Sequence, residues 1–398
     1  MNLNCNFMAD TQGNSTSRSP KVIICGNYGA TNIGDEAILD GIISLVRLAY
    51  PDAEITALSS NPEATEKLHG VKSVLMVPAG LRSFFQGIFQ GTFGKTLRTI
   101  KDCDAFLLGG GGLFTDEKLK AVIIWYLQGL AARAYKKRLF MIGQSVGPLS
   151  TWLGKKLSAN TFQRATAVTV RDTKSAGVLH DINVPQPQIL ADPAFALHTD
   201  LIPDMTREKY VVWTVRPWTL KAGGVFDSSE KQYAECAKFI DWLYEKHGLK
   251  SVLVPFQIHQ DHDEKVLEEI LGMVKNPQSA EVFSYTENFH ELMELFSRAT
   301  AVVGMRLHSL IFSIMSQTPF LALSYSSKVK ALLADAGMSD YVLTWGETSF
   351  EDLQKHFEKL LENKERVMDT LGEAHILMST NARKHVDVLR DFLKVNKN

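Results

Sequence analysis

Short apolar runs with strand character alternate with amphipathic stretches along most of this chain. Residues 21–25, 54–58, 74–77, 105–108, 139–142 and 167–170 read as strands, each leaving into polar, proline- or glycine-bearing turns. A second series follows at 210–215, 251–255, 281–283, 301–303 and 320–323, with helices predicted over 233–247, 288–298 and 307–317. Strands alternating with helices predict parallel sheets covered on both faces, hence an α/β protein. Apolar periodicity lapses over 198–208, where Asp200, Pro203 and Asp204 gather, and a linker is expected there. The organisation that results is a disordered tail over 1–20, a first α/β domain over 21–198, a second over 209–375, and a terminal segment over 376–398. The helix of that last segment, 381–393, is expected to pack back on the first domain.

Length supports this division, because 398 residues exceed one ordinary core. Lys and Arg number 43 against 44 Asp and Glu, so the chain has no basic surplus with which to bind nucleic acid. Cys5, Cys25, Cys103 and Cys236 form no Cys-x-x-Cys pair and read as reduced thiols. The first residues lack the basic start and apolar run of a secretion signal. A cytoplasmic protein is expected, and no stretch approaches the roughly 20 apolar residues of a membrane span. Residues 81–100 stand out by carrying Phe84, Phe85, Ile88, Phe89, Phe93 and Leu97 among Arg82, Lys95 and Arg98. Packing beneath the domain is the expected placement. The alternative is a peripheral contact with the inner face of the plasma membrane, useful if the acceptor carries a lipid.

The candidate chemistry centres on 301–313. A strand breaks at Gly304 and a buried helix follows, so Arg306 and His308 stand at a helix start. Cations there oppose the helix dipole, and a bound anion would reverse the sign. Lys328 is a second cation at a helix start, and Arg216 closes a strand ahead of Pro217, with a stack on Trp218 as its other reading. The first domain offers the opposite character. In the loop from Gly26 through Asn27, Tyr28, Gly34, Asp35 and Glu36, acids and amides without cations suit sugar hydroxyls better than phosphate, although Asp35 also fits a plain helix cap. Gly109 to Gly112, ahead of Asp116, let backbone approach a ligand at a strand's carboxyl end. His259, Asp261, His262 and Asp263 have metal-binding side chains but match no ligand spacing. They read as a solvated loop and cap, and no metal or cofactor is expected.

The motifs GNYGATNIGDEAIL (26–39), LLGGGGLFTD (107–116), GQSVGP (143–148), RD (171–172), DP (192–193), VRPW (215–218) and GMRLHSLIFS (304–313) together resemble the polysaccharide pyruvyltransferases. The likeness is greatest to the bacterial branch acting on secondary cell-wall polymers. The chain departs from the family pattern at Ser145 and at Ser326-Ser327. The resemblance implies two Rossmann-like domains facing a cleft, as in GT-B glycosyltransferases, with an acceptor-side first domain and a donor-side second. It also implies phosphoenolpyruvate as donor, a pyruvate ketal, commonly 4,6-linked, placed on a sugar acceptor that is lipid-linked, and release of phosphate. Carried over by motif, Arg216, Arg306, Leu307 and His308 would bind the donor, with Lys328 beside them. Asn27, Tyr28, Gly34, Asp35, Glu36, Gly110, Gly111 and Gly112 would face the acceptor. His308 is the expected acid, its ordinary pKa of roughly 6.5 suiting proton transfer and a bound dianion favouring its charged form. Asp35 and Asp116 are the alternatives for the base. A nucleotide-sugar glycosyltransferase and a non-catalytic glycan or anion binder are the rival readings.

Overall fold

The computed structural model describes residues 18–197, 207–217, 228–325 and 327–394. Most of the expected tail, all but the last two residues of the expected linker, Trp218, Ser326 and the Lys328 side chain lie outside this description. Strands β1 (Lys21–Cys25), β2 (Glu54–Ser59), β3 (Lys72–Leu75), β4 (Ala105–Phe114), β5 (Arg138–Val146), β6 (Ala167–Val170) and β7 (Gln188–Ile189) form one sheet, ordered β3-β2-β1-β4-β5-β6-β7. Between them run α1 (Ile33–Ala49), α2 (Pro62–His69), α3 (Leu81–Phe89), α4 (Thr92–Asp102), α5 (Leu119–Ala134), α6 (Trp152–Phe162) and α7 (Thr173–Asp181). The second sheet contains β8 (Glu208–Thr214), β9 (Lys250–Leu253), β10 (Ala280–Val282), β11 (Ala299–Gly304), β12 (Phe320–Ser324) and β13 (Val342–Thr344), ordered β10-β9-β8-β11-β12-β13. Its helices are α8 (Ser228–His247), α9 (Asp263–Met273), α10 (Phe289–Arg298), α11 (Leu307–Met315), α12 (Ser327–Asp335) and α13 (Phe350–Glu362), before the terminal α14 (Lys364–Arg383) and α15 (His385–Lys394).

Every strand pair among the described residues is parallel. The cause is in the sequence: runs such as Val22–Cys25 and 301–304 are buried on both faces, which only a sheet covered by helices on each side allows. The fold is α/β of the two-domain GT-B kind.

Two strands run on past their expected ends. β4 takes in the whole Gly109–Gly112 run, and β5 takes in 143–146, with Gly109 opposite Ile142 and Gly111 opposite Gln144. The glycines make this possible. A Cβ on Gly110 would lie 1.9 Å from Ile38 Cγ2, so α1 sits directly on the strand.

The 81–100 stretch forms two helices, α3 and α4, on either side of Gly91, and only one of them packs as expected. α4 buries Thr96 and Ile100 as a packed helix does, but α3 leaves Phe85, Ile88 and Phe89 exposed. The single helix expected over 381–393 is likewise two, meeting at Lys384. α14 packs on α11 of the second domain and on a 3-10 turn, Pro193–Ala196, of the first, and α15 lies on α1, with Phe392 against Phe140 at 5.4 Å between ring centres. The domains also meet at the start of α1, where the Ile33 amide donates to the Phe256 carbonyl at 3.2 Å.

Candidate functional site

The loop after β1 is shaped by its own side chains. Asn32 caps α1 by accepting the Gly34 amide at 3.1 Å. Asp35 is thereby released from capping and lies buried in the first turn, where Asn27 Nδ2 donates to its Oδ2 at 2.8 Å. Burial, opposed by the Asn27 hydrogen bond and reinforced by Glu36, pushes the Asp35 pKa up to about 7. A carboxyl poised near neutrality beside a ligand surface is suited to moving protons.

Three neighbours expected to face the acceptor are committed elsewhere. The Tyr28 ring is buried, and its hydroxyl donates to the Gly109 carbonyl at 2.5 Å. Glu36 accepts the Gly29 amide at 2.8 Å and holds His69 Nε2 at 3.0 Å, which shapes the loop from behind. Gly110 is occupied by Ile38, as above, whereas Gly111 faces Asp35 Oδ1 and Gly112 is exposed.

Asp116 differs from the expected base. It accepts four hydrogen bonds, from the amides and hydroxyls of Ser150 and Thr151. Burial alone would raise its pKa, but those donors outweigh it and hold the carboxylate ionised, so Asp116 ties down the turn before α6.

In the second domain, Arg306 is the N-cap residue of α11 and His308 lies in its first turn. Arg306 is only 9% exposed, and its charge is already met. Its Nε donates to Asp263 Oδ2 at 3.0 Å, its Nη2 pairs with Asp263 Oδ1, and its Nη1 is 2.8 Å from Asp261 Oδ2. The same Asp261 oxygen is 2.9 Å from Arg216 Nη2. Arg216 also donates to the Tyr325 hydroxyl at 3.1 Å and lies over that ring. This corrects two expectations. Arg306, the cation at the start of α11, is balanced by the protein's own carboxylates, and Asp261 and Asp263 serve arginines where a solvated loop was expected.

His308 crosses the domain boundary. A Cβ on Gly34 would lie 2.1 Å from His308 Nδ1, so the imidazole rests on the first turn of α1 at a position only glycine admits. Two helix N-termini, one from each domain, thus meet at this contact. His308 Nε2 stands 3.9 Å from Asp192 Oδ2, and Asp192 in turn pairs with Arg171. Burial, opposed by Asp192 and reinforced by Arg171 and Arg306, pushes the His308 pKa down to about 4. The protein's own groups therefore keep the imidazole neutral, and its charged form is left to depend on a bound dianion.

Beside this contact a cavity of about 320 Å³ runs between the domains, lined by Arg171, Asp192, Leu307, Ile311, Leu332 and Met378. Asn27, Gly34, Asp35, Gly111 and His308 are thus gathered at one seam, with Arg216 and Arg306 joined through Asp261. The sequence reading placed no role on Arg171, Asp192, Asp261, Asp263 or Tyr325. The RD and DP motifs hold the signal for the first two, whereas Asp261 and Asp263 look from the sequence like a solvated loop and cap. Among the described residues no group of three or more His, Cys, Asp or Glu is arranged to hold a metal ion.

Comparison with known proteins agrees with this architecture. The amylovoran biosynthesis protein AmsJ of Erwinia amylovora is 22% identical over 364 residues, covering 80% of this chain and 87% of that protein. Among solved structures, HepE of Anabaena, determined with UDP and glucose, gives a TM-score of 0.59 at 10% identity, covering 94% of this chain and 99% of that one. The UDP-GlcNAc 2-epimerase of Neisseria meningitidis, bound to UDP-GlcNAc, gives 0.56 at 12%, covering 94% and 100%. Such identities carry the fold alone. The model of the family described as polysaccharide pyruvyl transferase matches residues 32–327, from the Asn32 cap through the Arg306–His308 turn, and the chain belongs to that family.

Proposed function

We propose that this chain transfers pyruvate from phosphoenolpyruvate to a sugar of a cell-wall or exopolysaccharide precursor, forming a 4,6-linked ketal and releasing phosphate. The observation that carries the reading is the meeting of two helix N-termini at Gly34 and His308. Both poles favour an anion there, and Arg306 and Arg216 stand on the donor side joined through Asp261, so a carboxylate or phosphate that displaced Asp261 would meet N–H groups of both.

A proton goes to the methylene carbon of the enol phosphate, leaving oxocarbenium character on the adjacent carbon for a sugar hydroxyl to attack. The first hydroxyl proton passes to a base, the carbon–oxygen bond to phosphate breaks, and the second hydroxyl closes the ring as its proton leaves with phosphate. Asp35 is the base in this scheme, since Asp116 is fully engaged. His308 is the acid once the donor lies beside it. Restoring its ordinary pKa takes about 3 kcal/mol. One negative charge at ~4 Å in an effective dielectric of ~20 supplies about 4 kcal/mol. Asn27, Gly111 and Gly112 contact the acceptor, and Tyr28, Glu36 and Gly110 hold its loop. Leu307 walls the donor side, and Lys328, whose side chain lies outside the described residues, is assigned to it by motif alone.

The acceptor in this reading is lipid-linked, and the chain works at the cytoplasmic face of the membrane. The test is a phosphate-release assay with phosphoenolpyruvate and a lipid-linked N-acetylmannosamine acceptor, followed by mass spectrometry of the acceptor for the ketal. Turnover of a nucleotide sugar in its place would overturn the proposal in favour of a glycosyltransferase.

A further inference from the structure

α3 has two faces of different chemistry. Phe85, Ile88 and Phe89 are 55%, 49% and 87% exposed on one side, with Arg82, Lys95 and Arg98 exposed nearby on α3 and α4. The other side carries Gln86 and Gly87, which together with Gln90 just past the end of the helix roof a cavity of about 250 Å³. The remaining wall comes from Ser60 and the exits of β2 and β3, from Thr92 and from the Phe93 ring, and no lining residue is charged.

Resting on the reading above, we infer that α3 seats the protein on an anionic bilayer and roofs a subsite for a sugar of the membrane-anchored acceptor. An anionic ligand would find no counter-charge in this cavity, and a purely apolar one would leave unused the hydroxyls and amides of Ser60, Thr92, Gln86 and Gln90 on its wall. A saccharide fits, with hydroxyls for the amides and Ser60, and a ring face for Phe93. The place also fits, at the carboxyl ends of strands, where open α/β sheets bind ligands. It adjoins the loop that holds Asp35, because Ser60 donates to the Tyr28 carbonyl through both its amide, at 3.0 Å, and its hydroxyl, at 2.9 Å. The floor is fixed: Gln128 pairs with both backbone groups of Val77. On the outer face, three exposed apolar side chains flanked by cations match a surface of anionic headgroups, where each basic residue adds attraction. One helix would thus keep the lipid in the bilayer and its sugar beside the acceptor loop.

Two binding measurements on the purified full chain test this. Vesicles of mixed phosphatidylglycerol and phosphatidylcholine should sediment the wild type. The Phe85→Ser, Phe89→Ser double variant should partition at least about tenfold less. No wild-type sedimentation, or equal sedimentation of the variant, overturns the seating. Saturation-transfer NMR with the methyl glycoside of N-acetylmannosamine should show binding that Gln86→Leu and Gln90→Leu each weaken about tenfold. Absence of binding to the wild type, or unchanged affinity in both variants, overturns the subsite. Neither readout uses turnover. Failure of pyruvate transfer therefore sinks the proposed reaction while these measurements still decide the role of α3.

Discussion

Arg306 and Asp263 meet edge to edge inside the second domain, with Nε 3.0 Å from Oδ2 and Nη2 on Oδ1. Asp263 Oδ2 also accepts the Phe256 and Gln257 amides at 3.0 and 3.1 Å, and the Phe256 carbonyl accepts Ile33 of the first domain. One carboxylate therefore fixes both the arginine and the strand exit against which α1 docks. Removing one partner of a buried pair typically costs 3–5 kcal/mol, since the other charge is left uncompensated. Asp263→Asn preserves the shape and removes the charge, and should lower the urea-unfolding free energy by about 3 kcal/mol. An unchanged midpoint would show that Arg306 finds its balance elsewhere.

Asp261 has a different position from Asp263, because it is partly exposed and bridges Arg216 and Arg306 through a single oxygen. A donor anion reaching both guanidiniums must compete with it. Asp261→Asn leaves a hydrogen-bonding amide without the charge, so calorimetry should find phosphoenolpyruvate bound about tenfold tighter, equal to roughly 1.4 kcal/mol. Weaker binding would mean that Asp261 orients the arginines and does not compete for them.

Asp35 makes stability depend on pH. Its folded pKa of about 7 lies above the unfolded value of 3.8, so between these limits the native protein holds a proton that the unfolded chain has released. Its contribution to stability is complete below the lower limit and is lost as pH rises toward the upper one. Asp35→Asn escapes that loss. Denaturation at pH 8 should find the variant more stable than wild type by about 2–4 kcal/mol, with the gap shrinking toward pH 5. Activity should fall at least about 10²-fold in the same variant, the usual contribution of a positioned proton acceptor. A pH-independent gap would place the Asp35 pKa near its ordinary value.

Local pattern made the sheets legible. Runs such as 301–304 read as strands because their burial on both faces leaves no polar alternation. Asn27, Asp35, Arg306 and His308 were also legible, since a turn or helix start constrains which side chains fit there. What local pattern lacks is the partner across the fold. Nothing near Arg306 in sequence announces Asp263, and nothing near Gly34 announces His308. Gly110 departs from its reading for the same reason: Ile38 on α1, distant in sequence, is what occupies the space above it. The exposed face of α3 went the other way, because aromatic residues at helical spacing ordinarily mark a core.

Gly34 and His308 allow the convergence of the two helices to be tested directly. Gly34→Ala places a methyl group where Nδ1 lies, so the imidazole must turn or the domains must part. Alanine also improves intrinsic helix propensity by about 1 kcal/mol, which offsets part of what that displacement costs in stability. Turnover should nonetheless fall about 10²-fold. His308→Ala should lose as much or more while keeping most of its donor affinity, because the arginines remain. The double variant decides whether the two effects share a cause. If His308 acts from its seat on Gly34, the added methyl costs little once the imidazole is gone, and the double variant should match His308→Ala within about threefold. Strictly multiplicative losses would mean that the two residues serve the reaction independently, and that the meeting of the helix ends is packing alone.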